Sequence, residues 1–362
     1  MEEIKAKVQN LIFSKNFEEA VSYIKEDMKS NKDSYLHYEL LSKVYWNKRD
    51  FKGSIASLKT ATELNPEAFW LFNRLGKLNY RQKNYQEAKR CFQETLAIAP
   101  EHPVALRDLA NLERIDNNID LSNKYYRETM DIQLKKGIVN RTTILQQFIH
   151  KHKYQTYLEI GVHTGVNFFQ IDAPYKVAID PKFLIFGDKK TNNPNEQFYE
   201  VTSDEYFNND YVNVVKERKI NGALVDGLHT YEQSKKDVLN VLELLTDNGI
   251  IIMHDCYPEN EAASNPDMQA AIKTPGFSGA WMGDVWKTIV WLRSNRPDLN
   301  VVTLNTDCGL GIVMKGAQKN SLNFTDSEID SMGYEDLIKH GPEKLLGLTD
   351  PKSFVEDYNL FS

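Results

Sequence analysis

The chain has 362 residues and a net charge of −7, with 41% hydrophobic and 26% charged residues. That length supports two domains with separate cores, and the acidic balance excludes nucleic acid as the main partner, because such surfaces are basic. Cys91, Cys256 and Cys308 are widely spaced and form no CxxC pair, which excludes a disulfide framework and a zinc-thiolate cluster. The charged opening "MEEIKAKVQN" and the lack of any long apolar run set the expectation of a cytoplasmic chain with neither signal peptide nor membrane span.

The first third repeats itself. "LNPEAF" at 64–69 realigns with "IAPEHP" at 98–103, a period of 34, and units then start at Met1, Tyr35, Phe69 and Pro103. Leu75-Gly76, Ala88, Phe92 and Pro100 in the third unit fall where the 34-residue helix-turn-helix repeat known as TPR has its packing residues and closing proline. Leu41, Tyr45, Ala61 and Pro66 do so in the second. The first unit keeps Ala20, and the fourth keeps Leu109-Ala110 and Tyr126. Both lack the proline, as terminal repeats often do. The expectation is an all-α TPR-like array over 1–136. Tyr35, Tyr38, Trp46, Phe69, Trp70 and Phe72 either line a groove for a protein partner or for self-association, or pack between helices.

A linker is expected over 137–150. Beyond it, apolar runs at 156–162, 175–181, 197–202, 222–227, 249–255, 300–305 and 309–315 alternate with helical patterns at 204–219, 230–245 and 284–295. Continuous apolar strands between helices predict a parallel sheet covered on both faces. The last two strands are joined by a connection too short for a crossover, so they form an antiparallel hairpin. The expected fold is an α/β, Rossmann-like sheet of seven strands with an antiparallel last strand, over 151–316. Residues 317–362 read as a helical extension docked through Tyr334, Leu345, Phe354 and Phe361.

Ligands of such sheets sit beyond the carboxyl ends of the strands. The residues there are Glu159, Gly161 and Gly165 in "EIGVHTG", then Asp180, Asp226 in "VDGLH", and His254-Asp255. Glycines 161 and 165 allow a tight turn and close approach to the main chain. Asp180, ending the second strand, suits the two hydroxyls of a ribose. His163 stands where a dinucleotide fingerprint needs its second glycine, so a nucleoside without a pyrophosphate fits better. That points to S-adenosylmethionine.

This pattern resembles the class I SAM-dependent methyltransferases. "DGLHTYEQSKKDV" followed by "LTDNGIIIMHD" resembles the branch related to the sugar O-methyltransferases of macrolide biosynthesis, over roughly 145–316. The resemblance implies that Glu159, Gly161 and Gly165 flank the methionine end of the cofactor. It implies that Asp180 holds its ribose and that Ser203-Asp204 meet its adenine.

Methyl transfer to a hydroxyl requires a base and stabilisation of the attacking oxygen. A histidine titrates near working pH, so His229 is the expected general base, with Asp226 beside it. Two carboxylates facing one cavity are costly unless a cation or proton joins them. Asp226, Asp255 and His254 are therefore candidate ligands for Mg²⁺ or Mn²⁺. His254 stands where the resembled enzymes have an acid, which favours a transition ion or no ion at all. The long segment 256–283 is expected to form a lid or binding loop, and Asp284 to cap the helix that follows. The leading expectation is an O-methyltransferase acting on a sugar, a glycan or a glycosylated small molecule. The alternatives are a protein methyltransferase that recruits its substrate through the repeats, and a repeat scaffold whose methyltransferase domain is inactive.

Overall fold

The computed structural model describes residues 2–30, 34–185 and 193–360, so Phe361 lies outside the described residues. The chain divides into two units, Met1–Ile132 and Gln133–Ser362.

In the first unit the described residues form four helix pairs: Glu2–Phe13 with Phe17–Ser30, Tyr35–Asn47 with Phe51–Leu64, Phe69–Arg81 with Tyr85–Ile98, and Pro103–Ile115 with Ile119–Lys135. The 34-residue register is therefore met at Tyr35, Phe69 and Pro103, while the unit start at Met1 lies outside the described residues. Gly76 is required because a Cβ there would lie 2.6 Å from the Phe92 ring, and Phe92, Ala88 and Leu109 are fully buried around that contact. The turns repeat as well. Lys15, Arg49, Lys83 and Asn117 all adopt left-handed φ, at 59°, 66°, 62° and 60°. The next residue donates its N–H back five positions: Asn16 to Leu11 at 2.8 Å, Asp50 to Tyr45 at 2.8 Å, Asn84 to Asn79 at 2.9 Å and Asn118 to Glu113 at 2.8 Å. Each first helix thus ends in the same closed C-terminal turn, and its orphan carbonyls are satisfied before the chain reverses. Most of the aromatic residues serve packing: Trp46 meets Phe51 and lies under Arg81, and Phe69 meets Trp70 and His102. Trp70 remains 42% exposed and lines a surface cleft with Tyr35, Leu36, Glu39, Lys43 and Arg74.

In the second unit the described residues place eight strands in one sheet: β1 Thr156–Ile160, β2 Tyr175–Ile179, β3 Glu196–Tyr199, β4 Ile220–Val225, β5 Leu245–Met253, β6 Leu299–Leu304, β7 Leu310–Lys315 and β8 Leu348–Thr349. Their order is β3-β2-β1-β4-β5-β7-β6-β8. β7 is antiparallel to both β5 and β6, and the other pairings are parallel. β1 and β2 are buried along their whole length, which is why they read as unbroken apolar runs.

Three expectations are corrected. The sheet gains an eighth strand, β8, out of the extension read as helical; two residues carry no periodicity for a sequence to reveal. The predicted helix 204–219 is broken into Ser203–Asn208, a 3-10 turn at Asp210–Val212 and Asn213–Arg218. Residues 137–150, expected as a linker, contain most of a helix, Arg141–His152. It buries Ile144, Leu145, Phe148 and Ile149 and packs on β4 and β5. The extension docks as expected through buried Leu345 and Phe354 and partly buried Tyr334. Arg293, also buried, donates to the carbonyls of Leu345 and Asn320 at 2.8 Å each.

A lysine in left-handed backbone carries a penalty that glycine avoids, about 1 kcal/mol after the entropy cost of glycine. Lys83→Gly is expected to raise the unfolding free energy of the repeat unit by about that much in denaturant titration. Lys83→Val is expected to lower it.

Candidate functional site

Strand ends set the site. β1 and β2 stop two residues earlier than their apolar runs, leaving Gly161 and Asp180 just beyond the sheet. Asp226 follows β4, and His254-Asp255 follow β5. Read across the sheet, the residues come in spatial order: Ser203-Asp204 after β3, Asp180 after β2, Gly161 after β1, Asp226 after β4, His254-Asp255 after β5. Four strand spacings cover about 19 Å. One cavity of about 710 Å³ runs along this edge, a size typical of small-molecule sites. Gly161, Asp180, Ser203, Asp204, Asp226, His229, His254 and Asp255 all line it.

Gly161 has φ 84°, and a Cβ on it would lie 1.8 Å from the Asp226 carbonyl oxygen, so no other residue fits. Asp180 is fixed by two main-chain donors, His163 N at 2.8 Å and Lys182 N at 2.7 Å. Glu159 and Gly165 do not reach the cavity wall. Glu159 is 2% exposed and accepts bonds from Tyr157 Oη at 2.5 Å and Asn167 Nδ2 at 2.8 Å. Burial pushes its carboxyl up to about 7 against those bonds. Gly165, at φ 77°, opens the short helix Val166–Gln170 and lies under the Phe169 ring.

The end of the cavity beyond β4 and β5 is a charge cluster. Asp226 Oδ2 accepts from Arg141 Nη1 at 2.8 Å. Its Oδ1 lies 3.5 Å from His229 Nε2 and 3.3 Å from His254 Nδ1. Burial works to raise the Asp226 carboxyl, but His229, His254 and Arg141 hold it well below the usual carboxylate range. His229 donates from Nδ1 to the Trp281 carbonyl at 2.9 Å and stacks on the Trp281 ring, so Nε2 is the nitrogen turned to Asp226 and Asp255. Burial lowers the His229 pKa, yet the two carboxylates win and raise it above its ordinary value. His254 is 8% exposed and stands 3.0 Å from Asp255 Oδ2 and 3.5 Å from Asp307 Oδ1. None of these contacts is a directed hydrogen bond, and among the described residues neither ring nitrogen has a hydrogen-bond partner. Those carboxylates raise its pKa strongly against burial.

Sequence reasoning missed Arg141, Asp307 and Cys308. Arg141 begins the helix read as linker, and its own N–H donates to Asp307 Oδ2 at 3.1 Å. Asp307 and Cys308 sit in the β6–β7 hairpin, where three successive residues, Asp307, Cys308 and Gly309, have left-handed φ. The "NRTT" capping motif at 140–143 signalled the helix: Asn140 accepts from Thr143 N, and Thr143 Oγ1 accepts from Asn140 N. Asp284 caps a different helix from the one expected. Its side chain accepts from Tyr231 N at 2.7 Å, at the start of Tyr231–Leu244. Tyr231 itself is packed into the core. The segment 256–283 is tied to itself by Trp281 Nε1 donating to the Asn265 carbonyl at 2.6 Å, and it delivers Trp281 to His229.

Residues 158–256 match the family model for a methyltransferase domain, and residues 38–67 and 70–102 each match one for a tetratricopeptide repeat. The chain therefore carries a methyltransferase domain, of a class that uses SAM, behind tetratricopeptide repeats. No curated protein matches it. Solved structures similar to part of it include MamA (17% identity, 38% of this chain and 81% of that chain, TM-score 0.35). MamA 41-end from Desulfovibrio magneticus RS-1 is another (18%, 42% and 84%, TM-score 0.34). YrrB, described as a TPR protein with an unusual peptide-binding site, is a third (16%, 36% and 67%, TM-score 0.32). No helix among the described residues is long and apolar enough to cross a membrane.

The raised Glu159 carboxyl favours the protonated folded state. Its stabilisation is complete below about pH 4.5 and is lost as pH rises through about 7. Glu159→Gln, which lacks this titration, is expected to gain stability relative to wild type between pH 5 and pH 8. The gain is on the order of 3 kcal/mol at most, read by denaturant unfolding at both pH values.

Proposed function

We propose that the chain is a SAM-dependent O-methyltransferase acting on a hydroxyl of a sugar, in a glycan or glycosylated small molecule. The observation that carries this reading is the order of groups along one cavity. A polar edge after β3 is followed by an anchored acid after β2, then a glycine turn after β1, then a His–Asp cluster after β4 and β5. That order suits base, ribose and methionine ends in turn. The Asp180 carboxylate, held by two main-chain N–H groups, keeps lone pairs for the ribose hydroxyls.

Bound SAM supplies the electrophilic methyl group. His229 Nε2 takes the acceptor hydroxyl proton, because Nδ1–H is committed to the Trp281 carbonyl and fixes the tautomer. Asp226 and Asp255 orient that ring and stabilise the imidazolium that forms. Trp281 covers the ring and limits water around it. A divalent cation would be held by Asp255 together with either Asp226 and His229 or His254 and Cys308, the two donor sets that converge there; the histidine of either set would have to give up its proton, and its nitrogen favours Mn²⁺ over Mg²⁺. The repeats give the enzyme a surface for a protein partner or for a second copy. The acceptor class rests on the DGxHxY resemblance. A protein acceptor recruited through the repeats is the alternative.

Isotope-labelled SAM offered with sugar acceptors and with peptides separates these readings: label in the sugar supports the first, and label only in peptide overturns it. His229→Gln is expected to lower kcat by about 10² to 10⁴. The base form of His229 is available only above its raised pKa, so the acid limb of the kcat–pH profile is expected to fall above pH 6.5. Asp255→Asn removes a raising charge and is expected to shift that limb downward.

A further inference from the structure

The β6–β7 hairpin brings a thiol to the strand-end cluster. Cys308 is exposed, and its Sγ, a ring nitrogen of His254 and a carboxylate oxygen of Asp255 all lie within 4.8 Å of one another. The hairpin is fastened to the segment that follows β5: Cys256 N donates to the Gly309 carbonyl at 3.0 Å, and Tyr257 N donates to the Cys308 carbonyl at 3.1 Å. Gly309 permits that approach, since a Cβ there would lie 2.4 Å from Tyr257 N. His254 is 8% exposed, and among the described residues neither of its ring nitrogens has a hydrogen-bond partner. Buried polar atoms are nearly always bonded, so a ring of this kind facing an acid and a thiol points to a ligand. The other two thiols are placed elsewhere. Cys91 is buried in the repeats, and Cys256 Sγ is buried against the Met253 and His254 carbonyls.

We propose that His254, Asp255 and Cys308 form a site for a thiophilic divalent cation, with Zn²⁺ the expected ion, bound through one nitrogen, one oxygen and one sulfur. Thiolate and imidazole ligands select zinc and its transition-metal neighbours, whereas Mg²⁺ takes oxygen ligands. Three protein ligands leave zinc a fourth position for water or a ligand oxygen. The competing set, Asp226, His229 and Asp255, shares Asp255, so one ion on Asp255 must choose between them. Asp226 has one oxygen committed to Arg141 at 2.8 Å. An ion on His229 would also occupy Nε2, because Nδ1 is bonded to the Trp281 carbonyl. That is the nitrogen assigned to the acceptor proton, so the choice of set rests on the methyltransferase reading above. The His254 set leaves it free. No CxxC spacing marks such a site, because its single thiolate arrives by a tertiary contact from a hairpin. Binding needs a neutral imidazole and a thiolate, so affinity is expected to rise with pH.

Cobalt tests the site, because a bound thiolate gives a sulfur-to-cobalt charge-transfer band in the near ultraviolet. The full chain is stripped with a chelator, kept reduced and titrated with Co²⁺. The band is expected to appear, to be lost when Zn²⁺ is added and to survive an excess of Mg²⁺. Cys308→Ser is expected to lose the band, and His229→Gln to keep it. A band that survives in Cys308→Ser overturns the assignment, as does cobalt binding lost in His229→Gln and kept in Cys308→Ser. A wild type that shows no band also overturns it, a result that does not depend on any variant folding. The readout needs no SAM, so the two readings fail separately. Methyl transfer from labelled SAM without the band removes the metal site alone, and the band without transfer keeps the site and removes the methyltransferase reading.

Discussion

The site depends on the carboxylate of Asp226. Its main chain is locked against β1, with its N–H donating to the Ile160 carbonyl at 2.9 Å and its own carbonyl filling the space where Gly161 lacks a side chain. Its side chain gathers Arg141 from the helix before β1, His229 from the loop after β4 and His254 from the end of β5. Three carboxylates, those of Asp226, Asp255 and Asp307, cannot share so small a volume without cations between them. The guanidinium and the two imidazoles supply that charge. The cost of assembling the cluster is offset only while all these segments are in place, so the site and the sheet edge stand or fall together.

The two ends of the cavity are built differently. Around His229, carboxylates, imidazoles and a guanidinium face one another at 2.8 to 3.5 Å. At the β3 side, Ser203 and Asp204 are tied together by the single amide of Gln233. A ligand with a charged reacting end and a polar aromatic end fits that gradient, and a dinucleotide would not, since no glycine-lined phosphate cradle follows β1.

Much of this was legible in the sequence because it follows from period. The 34-residue repeat fixed the helix starts at Tyr35, Phe69 and Pro103, and the unbroken apolar runs fixed the central strands. The turn residues Lys15, Arg49, Lys83 and Asn117 share the same spacing, yet their left-handed backbone was hidden because lysine and arginine do not announce it as glycine does. Site residues at strand ends were readable for the same reason of register. Arg141 and Asp307 were not: each is brought in by a tertiary contact, from a helix with weak amphipathic character and from a hairpin. Glu159 looked like a cofactor ligand because it ends a strand. The alternation of side chains along β1 turns it instead toward Tyr157 and Asn167.

The most direct measurement is a crystal structure of the full chain soaked with S-adenosylhomocysteine. The expected density has the ribose on the Asp180 carboxylate, the purine toward Ser203 and Asp204 and the sulfur on the side of Asp226 and His229. Nucleoside density elsewhere in the molecule, or bound in the reverse direction along the strand ends, would contradict the assignment of the cavity.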